Sequence, residues 1–570
     1  MIRPTPAIVT QLAARRLPRW VLILMGLLYV VPGFLGRDPW RNDDLAAFGV
    51  MLELAMGRSE WWNPSLLGEP AASAGWLPYW LGAWSIQLFG FLPADLAAKL
   101  PFAALLLLTM ASTWYGAFHL ARLPGAQPVT FAFGGQAHPL DYARATADAA
   151  LLALVATLGV AMLAHETSVD AARLAWVALA FHASARALSP HTRHPVKTVL
   201  LWWLSAFGLA FSGVPGLALW IGLLTLAPWV FNPYLRLTEP LESKTVLFFC
   251  GFAGSMLAAG LAWSLGAELH AHVWKLSHWA EAASWQRLGR LLLWFTWPTG
   301  LLALWAIWTW RRQWRCAHWL LPVVWASSLL LVTWLDGGRD RTLLMAMPLL
   351  AALAAFALPT LRRSVTAWLD WFALLFFTAG ATIIWIIWIA MMTGIPPQPA
   401  ANVAKLAPLF QARFDLFLFV IACMVTLGWL AVMVWRLGRH RPALWKSLVL
   451  SASGVTFCWV LLMTLWLPLL NHGMGLAPLA QRVAQLVPAG DCVAVHGLGP
   501  AQISGLIYHG RLSVQRLNSP AAERCKRLVV DADDLNTLAQ RVNMDDWALM
   551  SRLPRLRDNR ETWLVFQKAH

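Results

Sequence analysis

The chain has 570 residues and a formal charge of +16; 59% of it is hydrophobic, only 13% is charged, and its mean hydropathy is +0.57. A soluble domain carries roughly 25% charged residues, so a water-soluble enzyme is excluded. Nucleic acid is excluded as a partner by distribution: the arginines form short clusters between apolar runs (Arg15, Arg16 and Arg19; Arg311, Arg312 and Arg315; Arg362 and Arg363), not a stripe, and such clusters suit the anionic face of a membrane. The 37 Trp against 6 Tyr fit a chain with many anchors at the water–lipid boundary.

Backbone polar groups must be satisfied inside hydrocarbon, so a crossing segment needs about 20 largely apolar residues in a helix. About thirteen segments meet that criterion. They lie at 20–36, 98–120, 146–164, 171–187, 198–212, 216–231, 245–265, 291–309, 319–335, 343–359, 369–391, 415–435 and 447–468. The first follows a basic stretch and lacks a small-residue cleavage site, which predicts a retained anchor. Lys and Arg are denser in the loops on the N-terminal side, so the N-terminus is expected in the cytoplasm. An odd number of crossings then puts the tail outside, in the periplasm of a bacterial inner membrane. The expected fold is an α-helical polytopic membrane domain over 1–470 followed by a small periplasmic α/β domain over 471–570.

The first outward loop, 36–97, carries apolar periodicity from Leu45 to Met56 and from Leu77 to Phe91, the pattern of helices lying on a membrane surface. Between them runs a turn-rich, aromatic stretch from Trp61 to Pro70. The tail alternates helical patterns (Leu476 to Val487, Ala501 to Tyr508, Asp534 to Val542) with strand patterns at Cys492–Val495, Leu512–Val514, Arg527–Val530, Trp547–Arg552 and Thr562–Phe566. Cys492 opens one predicted strand and Cys525 stands just before another in an oxidising compartment; a disulfide and two free thiols are equal alternatives there.

Three outward polar clusters are candidates for chemistry. Asp43-Asp44 stands at the water–membrane boundary, where a carboxylate with a raised pKa can serve as a general base on a hydroxyl; the alternative is an N-cap for the helix starting at Leu45. His165-Glu166-Thr167-Ser168-Val169-Asp170 fills a short turn between two spans, where ionisable groups are costly unless they line a cavity; helix capping by Ser168 or Asp170 competes with that reading. Asp336-Gly337-Gly338-Arg339-Asp340-Arg341 ends a span with two guanidinium forks suited to phosphate, or to pairing with its own aspartates.

In order and spacing these clusters resemble the polytopic GT-C glycosyltransferases of the aminoarabinose-transferase and protein-mannosyltransferase type. That family opens its first outward loop with an acidic motif and an amphipathic helix. A Gly-Asp-Trp-like turn, an Asn-Gly-x-Pro-like turn and a Tyr-Trp-Leu helix follow. The counterparts here are Asp43-Asp44, the helix from Leu45, Ser59-Glu60-Trp61, Leu67-Gly68-Glu69-Pro70 and Tyr79-Trp80-Leu81. Counting back from Trp61 without gaps puts the family's catalytic Asp on Asp44, with Asp43 as fallback. The resemblance implies transfer of a sugar from a polyprenyl-phosphate donor to lipid A, another glycan or a protein, with inversion and without a metal or other cofactor. It further implies that Asp170 joins the catalytic acids, placing a sugar with Glu166 and His165, that Glu69 and Tyr79 position the substrates, and that Arg339 and Arg341 stabilise the leaving phosphate; Arg58 is a further candidate for holding that phosphate.

Two departures stand against it. The family's Glu-Lys-Pro-Pro is Ser73-Ala74-Gly75-Trp76 here, and its Thr-Lys-Gly-Pro is replaced around Ser212-Gly213-Val214-Pro215, so both lysines suited to the donor phosphate are missing. A non-catalytic scaffold with this fold therefore stands as a rival, and a polytopic transporter as a weaker one, since neither paired repeats nor midspan charges are evident.

Overall fold

The computed structural model describes residues 5–40, 42–71, 73–189, 194–231, 241–267, 282–437, 443–555 and 561–569. A helix or a broken helix lies over every apolar segment expected to cross the membrane. Among the described residues, six helices are long and apolar enough to cross a membrane by themselves: Ala94–Ala121, Thr245–Ser264, Ala317–Leu335, Arg363–Thr393, Leu416–Arg436 and Lys446–Leu465. Others are shorter, such as Arg19–Phe34, or interrupted.

The interruptions have local causes. Trp285–Phe295 and Thr299–Gln313 meet at 99° across Pro298, which has no N–H for an i→i−4 bond and clashes with a continuing helix. That corner packs against a second break, between Pro139–Ala156 and Leu158–Leu163. There the Thr157 hydroxyl donates to the Ala153 carbonyl at 2.8 Å and the Thr299 hydroxyl donates to the same oxygen at 2.7 Å, satisfying backbone that the break exposes.

The long loop after the first apolar segment folds into two helices, Asn42–Ala55 and Leu77–Leu88, joined through a two-residue hairpin turn between β1 (Ser65–Leu66) and β2 (Glu69–Pro70). Its indoles are tied to its own backbone: Trp76 donates to the Trp62 carbonyl (2.8 Å) and Trp80 to that of Trp61 (2.7 Å).

The tail is a five-stranded mixed sheet in the order β4-β3-β5-β7-β6, with β3 Cys492–His496, β4 Ser513–Arg516, β5 Arg527–Asp531, β6 Trp547–Pro554 and β7 Thr562–Lys568. β3 pairs in parallel with β4 and β5, and β7 runs antiparallel to β5 and β6. Strand alternation divides its side chains between two cores. Val493, Val495, Val529 and Val565 join an apolar core continuous with the membrane unit, whereas Ala494, Leu528, Val530, Leu564 and Phe566 pack on the other face with Leu538. Cys492 and Cys525 are joined by a disulfide, their Cα atoms 4.9 Å apart.

The helix Pro500–Tyr508 seats the tail on the loop helix Asn42–Ala55. The approach is close enough that a Cβ at Gly49 would lie 1.9 Å from the Ser504 hydroxyl, so only glycine fits there. Asn471 fastens the start of the loop: its Oδ1 accepts from the Asp38 amide (3.1 Å) and the Trp40 indole (2.7 Å), and its Nδ2 donates to the Gly36 carbonyl (2.9 Å).

Candidate active site

Asp43 and Asp44 both lie in the first turn of Asn42–Ala55, where carboxylates suit the positive end of the helix dipole. Successive helical residues point about 100° apart, and that angle separates the pair. Asp44 turns inward and is fully buried. Its Oδ1 accepts from the Thr167 amide at 2.8 Å and hydroxyl at 2.6 Å, and its Oδ2 faces the Arg37 guanidinium at 3.3 Å. Arg37 is itself buried; it also donates to the His165 carbonyl and lies over the Trp40 ring, 5.2 Å from the centroid. Removing one member of such a pair strands a charge out of water, at a cost of about 3–5 kcal/mol.

Asp43 turns outward, with 64% of its side chain exposed. The Arg341 Nε lies 2.8 Å from Asp43 Oδ2, and the Nη1 of the same guanidinium lies 2.6 Å from Oε2 of the buried Glu166. Burial works against the charge on Arg341, but Glu166, Asp43 and Asp170 outweigh it and hold the guanidinium above its ordinary pKa. Arg341 thus braces the exposed carboxylate against a buried one.

Asp43 shares one cleft with Glu69, Tyr79, Ser168 and Asp170, and the tail closes over it with Pro500 and Arg516. Asp170 opens the helix Val169–Leu188 and pairs with Arg173 at 2.9 Å; Ser168 caps that helix through the Ala171 amide. Tyr79 is buried, donates its hydroxyl proton to the Ser73 carbonyl (3.0 Å), and burial raises its pKa. Glu69 reaches Arg516 of the tail at 2.6 Å.

The two stretches that depart from the family pattern meet beside this cleft, which Ser73 of the first stretch lines. The Trp76 amide donates to the Phe211 carbonyl at 2.7 Å. A Cβ on Gly213 would lie 2.0 Å from the Ala74 carbonyl oxygen, and one on Gly75 would lie 2.7 Å from the Ser212 carbonyl carbon. Arg173 stitches the junction, donating to the carbonyls of Ser212 (2.9 Å) and Ala74 (3.3 Å). Backbone contact and one buried guanidinium occupy the place where two lysines were expected.

Of the residues singled out from sequence, Asp43, Asp170, Glu69 and Tyr79 come together on the cleft, with Arg341 braced against Asp43. Asp44, Glu166 and His165 are fully buried. The His165 ring is enclosed by Tyr29, Phe34 and Trp459, and its nitrogens face the carbonyls of Ala161 (2.6 Å) and Tyr29 (2.9 Å). Burial, reinforced by Arg37, pushes its pKa down to about 3. Arg339 is 66% exposed and 3.9 Å from Asp336, and Arg58 is half exposed and paired with Glu53 at 2.6 Å; neither lines the cleft. Arg37, Arg173, Thr167 and Arg516 escaped the sequence reading. Arg37 lies six residues before Asp43 and could have been read as a partner for the aspartates, and Thr167 stands inside the His165–Asp170 cluster; Arg173 and Arg516 carry no local pattern. Among the described residues, no three His, Cys, Asp or Glu side chains gather in a way that could hold a metal ion.

Neither a family model nor a curated protein matches the sequence. Solved structures match it in fold. ArnT from Cupriavidus metallidurans bound to undecaprenyl phosphate superposes with a TM-score of 0.60 over 96% of this chain and 98% of that one, at 16% identity. The same protein in the apo state gives 0.59 over the same shares at 15% identity. The archaeal oligosaccharyltransferase AglB from Archaeoglobus fulgidus, in complex with an inhibitory peptide and a dolichol-phosphate, aligns over 90% of this chain and 70% of that one at 10% identity, with a TM-score of 0.47. The GT-C fold expected from the sequence resemblance is the fold the chain adopts.

Proposed function

We propose that this chain is a membrane glycosyltransferase that moves a sugar from a polyprenyl-phosphate donor to an acceptor hydroxyl in the cleft beneath the tail. One observation carries the reading: carboxylates from two separate stretches of the chain, Asp43 and Glu69 on one loop and Asp170 far along the sequence, converge on a roofed cleft. They do so in a fold whose solved counterpart holds undecaprenyl phosphate. A donor of this class has a tail too apolar for water and a head too polar for hydrocarbon. Its reacting bond therefore lies at the membrane boundary, and a cleft between helices and a polar domain suits both parts. The acceptor is a lipid A, glycan or protein hydroxyl, and the cleft faces the periplasm, with the N-terminus in the cytoplasm.

Asp43 takes the role of general base. It is a carboxylate of the acidic pair with an exposed face, whereas Asp44 would have to give up its bonds to Thr167 and Arg37 to accept a proton. Arg341, on one side of Asp43, orients it, leaving the other oxygen for the acceptor hydroxyl. As the acceptor oxygen bonds to the anomeric carbon, the bond from that carbon to the phosphate oxygen breaks. The proton passes to Asp43, and the electron pair leaves with polyprenyl phosphate, already a good leaving group. Attack opposite the leaving phosphate inverts the anomeric centre. Asp170 and Tyr79 line the wall where the sugar hydroxyls would lie.

The test is release of polyprenyl phosphate from lipid-linked sugars by the purified full chain, with the modified acceptor identified by mass. Turnover by wild type that is lost in Asp43→Asn supports the reading. Turnover that survives Asp43→Asn removes the base assignment, and no turnover with any donor favours the scaffold.

A further inference from the structure

Three carboxylate–arginine pairs ring the cleft, and they differ in how firmly each arginine is committed. Arg341 serves two carboxylates, Asp43 and the buried Glu166. Arg173 serves Asp170 and two backbone carbonyls. Arg516, at the end of β4, has one charged partner, Glu69, whose side chain is 59% exposed while that of Arg516 is 20% exposed. The Arg516 Nε is buried and has no hydrogen-bond partner among the described residues. Exchanging the partner of Arg341 or Arg173 would strand buried groups; exchanging that of Arg516 returns Glu69 to water at little cost. Arg58 and Arg339, the other guanidinium groups expected to hold phosphate, do not line the cleft.

We infer that Arg516, supplied by the C-terminal domain, is the exchangeable cation of the cleft: it binds the phosphate of an incoming substrate, and Glu69 holds its place until that phosphate arrives. The inference rests on the proposed glycosyltransferase reading and adds that the tail is part of the binding site and not only its roof. An Arg fork matches a phosphate in two parallel bonds, which a single exposed carboxylate at 2.6 Å does not saturate. Burial, only partly offset by Glu69, holds the Arg516 pKa below its ordinary value, the mark of a guanidinium that one exposed carboxylate leaves under-compensated.

The two members of the pair predict opposite outcomes. With the full chain in lipid nanodiscs, equilibrium binding of a polyprenyl phosphate and of glycerol phosphate is measured separately. Arg516→Ala is expected to weaken phosphate binding by about tenfold or more, the usual worth of a hydrogen bond to a charged group. Arg516→Lys keeps most of it, and Glu69→Gln tightens it severalfold by removing the competitor. A mere structural tie between tail and loop would make Arg516→Ala and Glu69→Gln behave alike. Binding unchanged in Arg516→Ala, or unchanged or weakened in Glu69→Gln, overturns the inference while leaving the proposed function standing. A loss in Arg516→Ala confined to glycerol phosphate assigns Arg516 to a phosphate on the acceptor; a loss with the polyprenyl phosphate assigns it to the donor. A wild type that binds no polyprenyl phosphate removes the proposed function itself.

Discussion

The floor of the cleft and its rim are built from the same residue types, often from sequence neighbours, yet they are held in opposite ways. On the floor, Asp44 and Arg37 are buried and engaged by two or more groups each, His165 is enclosed by rings, and Glu166 is buried against Arg341. On the rim, Asp43, Glu69 and Asp170 keep a face toward the cleft and have one arginine apiece. A buried, paired charge is a fixture, because breaking the pair costs about 3–5 kcal/mol. A rim charge with one partner can change partners. The lesson is that an acidic cluster in sequence divides between framework and chemistry according to the direction each side chain takes from its helix.

Arg341 joins the two regions, so its loss should have the largest effect. Arg341→Ala strands the buried Glu166 and frees Asp43 at once. It is expected to cost about 3–5 kcal/mol of stability and to reduce turnover by about a hundredfold or more; thermal unfolding and donor turnover check each arm. If the variant loses activity but unfolds like wild type, the floor and rim are not mechanically joined.

Next comes an acid dependence that belongs to the floor. The pKa of His165 is about 3 in the folded chain, below its usual value near 6.5. Between those values the unfolded chain takes up a proton that the folded one refuses. Stability is therefore intact above about pH 6.5 and declines as pH falls toward the folded value, by up to about 1.4 kcal/mol per pH unit. His165→Phe should flatten that slope in unfolding midpoints measured from pH 7 to pH 4; an unchanged slope would mean that another group carries it.

The smallest effects belong to residues outside both regions. Arg339→Ala, at an exposed side chain away from the cleft, should leave turnover within about twofold and stability within about 0.5 kcal/mol; Arg58→Ala should also spare turnover but lowers stability further, because it strands the buried Glu53. A large loss of donor affinity in either would restore the phosphate role that the sequence first offered them.

Periodicity and hydropathy made the large elements legible. Every apolar segment is covered by helix, the loop helices from Leu45 and Leu77 are present, and the tail strands at Cys492, Arg527 and Thr562 begin where the apolar runs do. The break at Thr157 was not legible, because the Ala153 carbonyl it exposes is satisfied in part by the Thr299 hydroxyl, 146 residues away. Asp43 and Asp44 were legible as a pair but not as individuals. Counting from Trp61 chooses between them by alignment, while their surroundings are set by Thr167 and Arg341, far along the chain. Arg173 and Arg516 were invisible for the same reason: an arginine's partner is a matter of tertiary placement, and neither lies near Ala74, Ser212 or Glu69 in sequence.

The division between floor and rim is tested most directly by comparing Asp43→Asn with Asp44→Asn in two assays, donor turnover and thermal unfolding of the purified full chain. Asp43→Asn should abolish turnover, a loss of about a hundred- to ten-thousandfold, and unfold like wild type. Asp44→Asn should unfold at a clearly lower temperature while its folded fraction still turns over. The opposite crossing, with Asp44→Asn stable but inactive and Asp43→Asn active, would contradict the account.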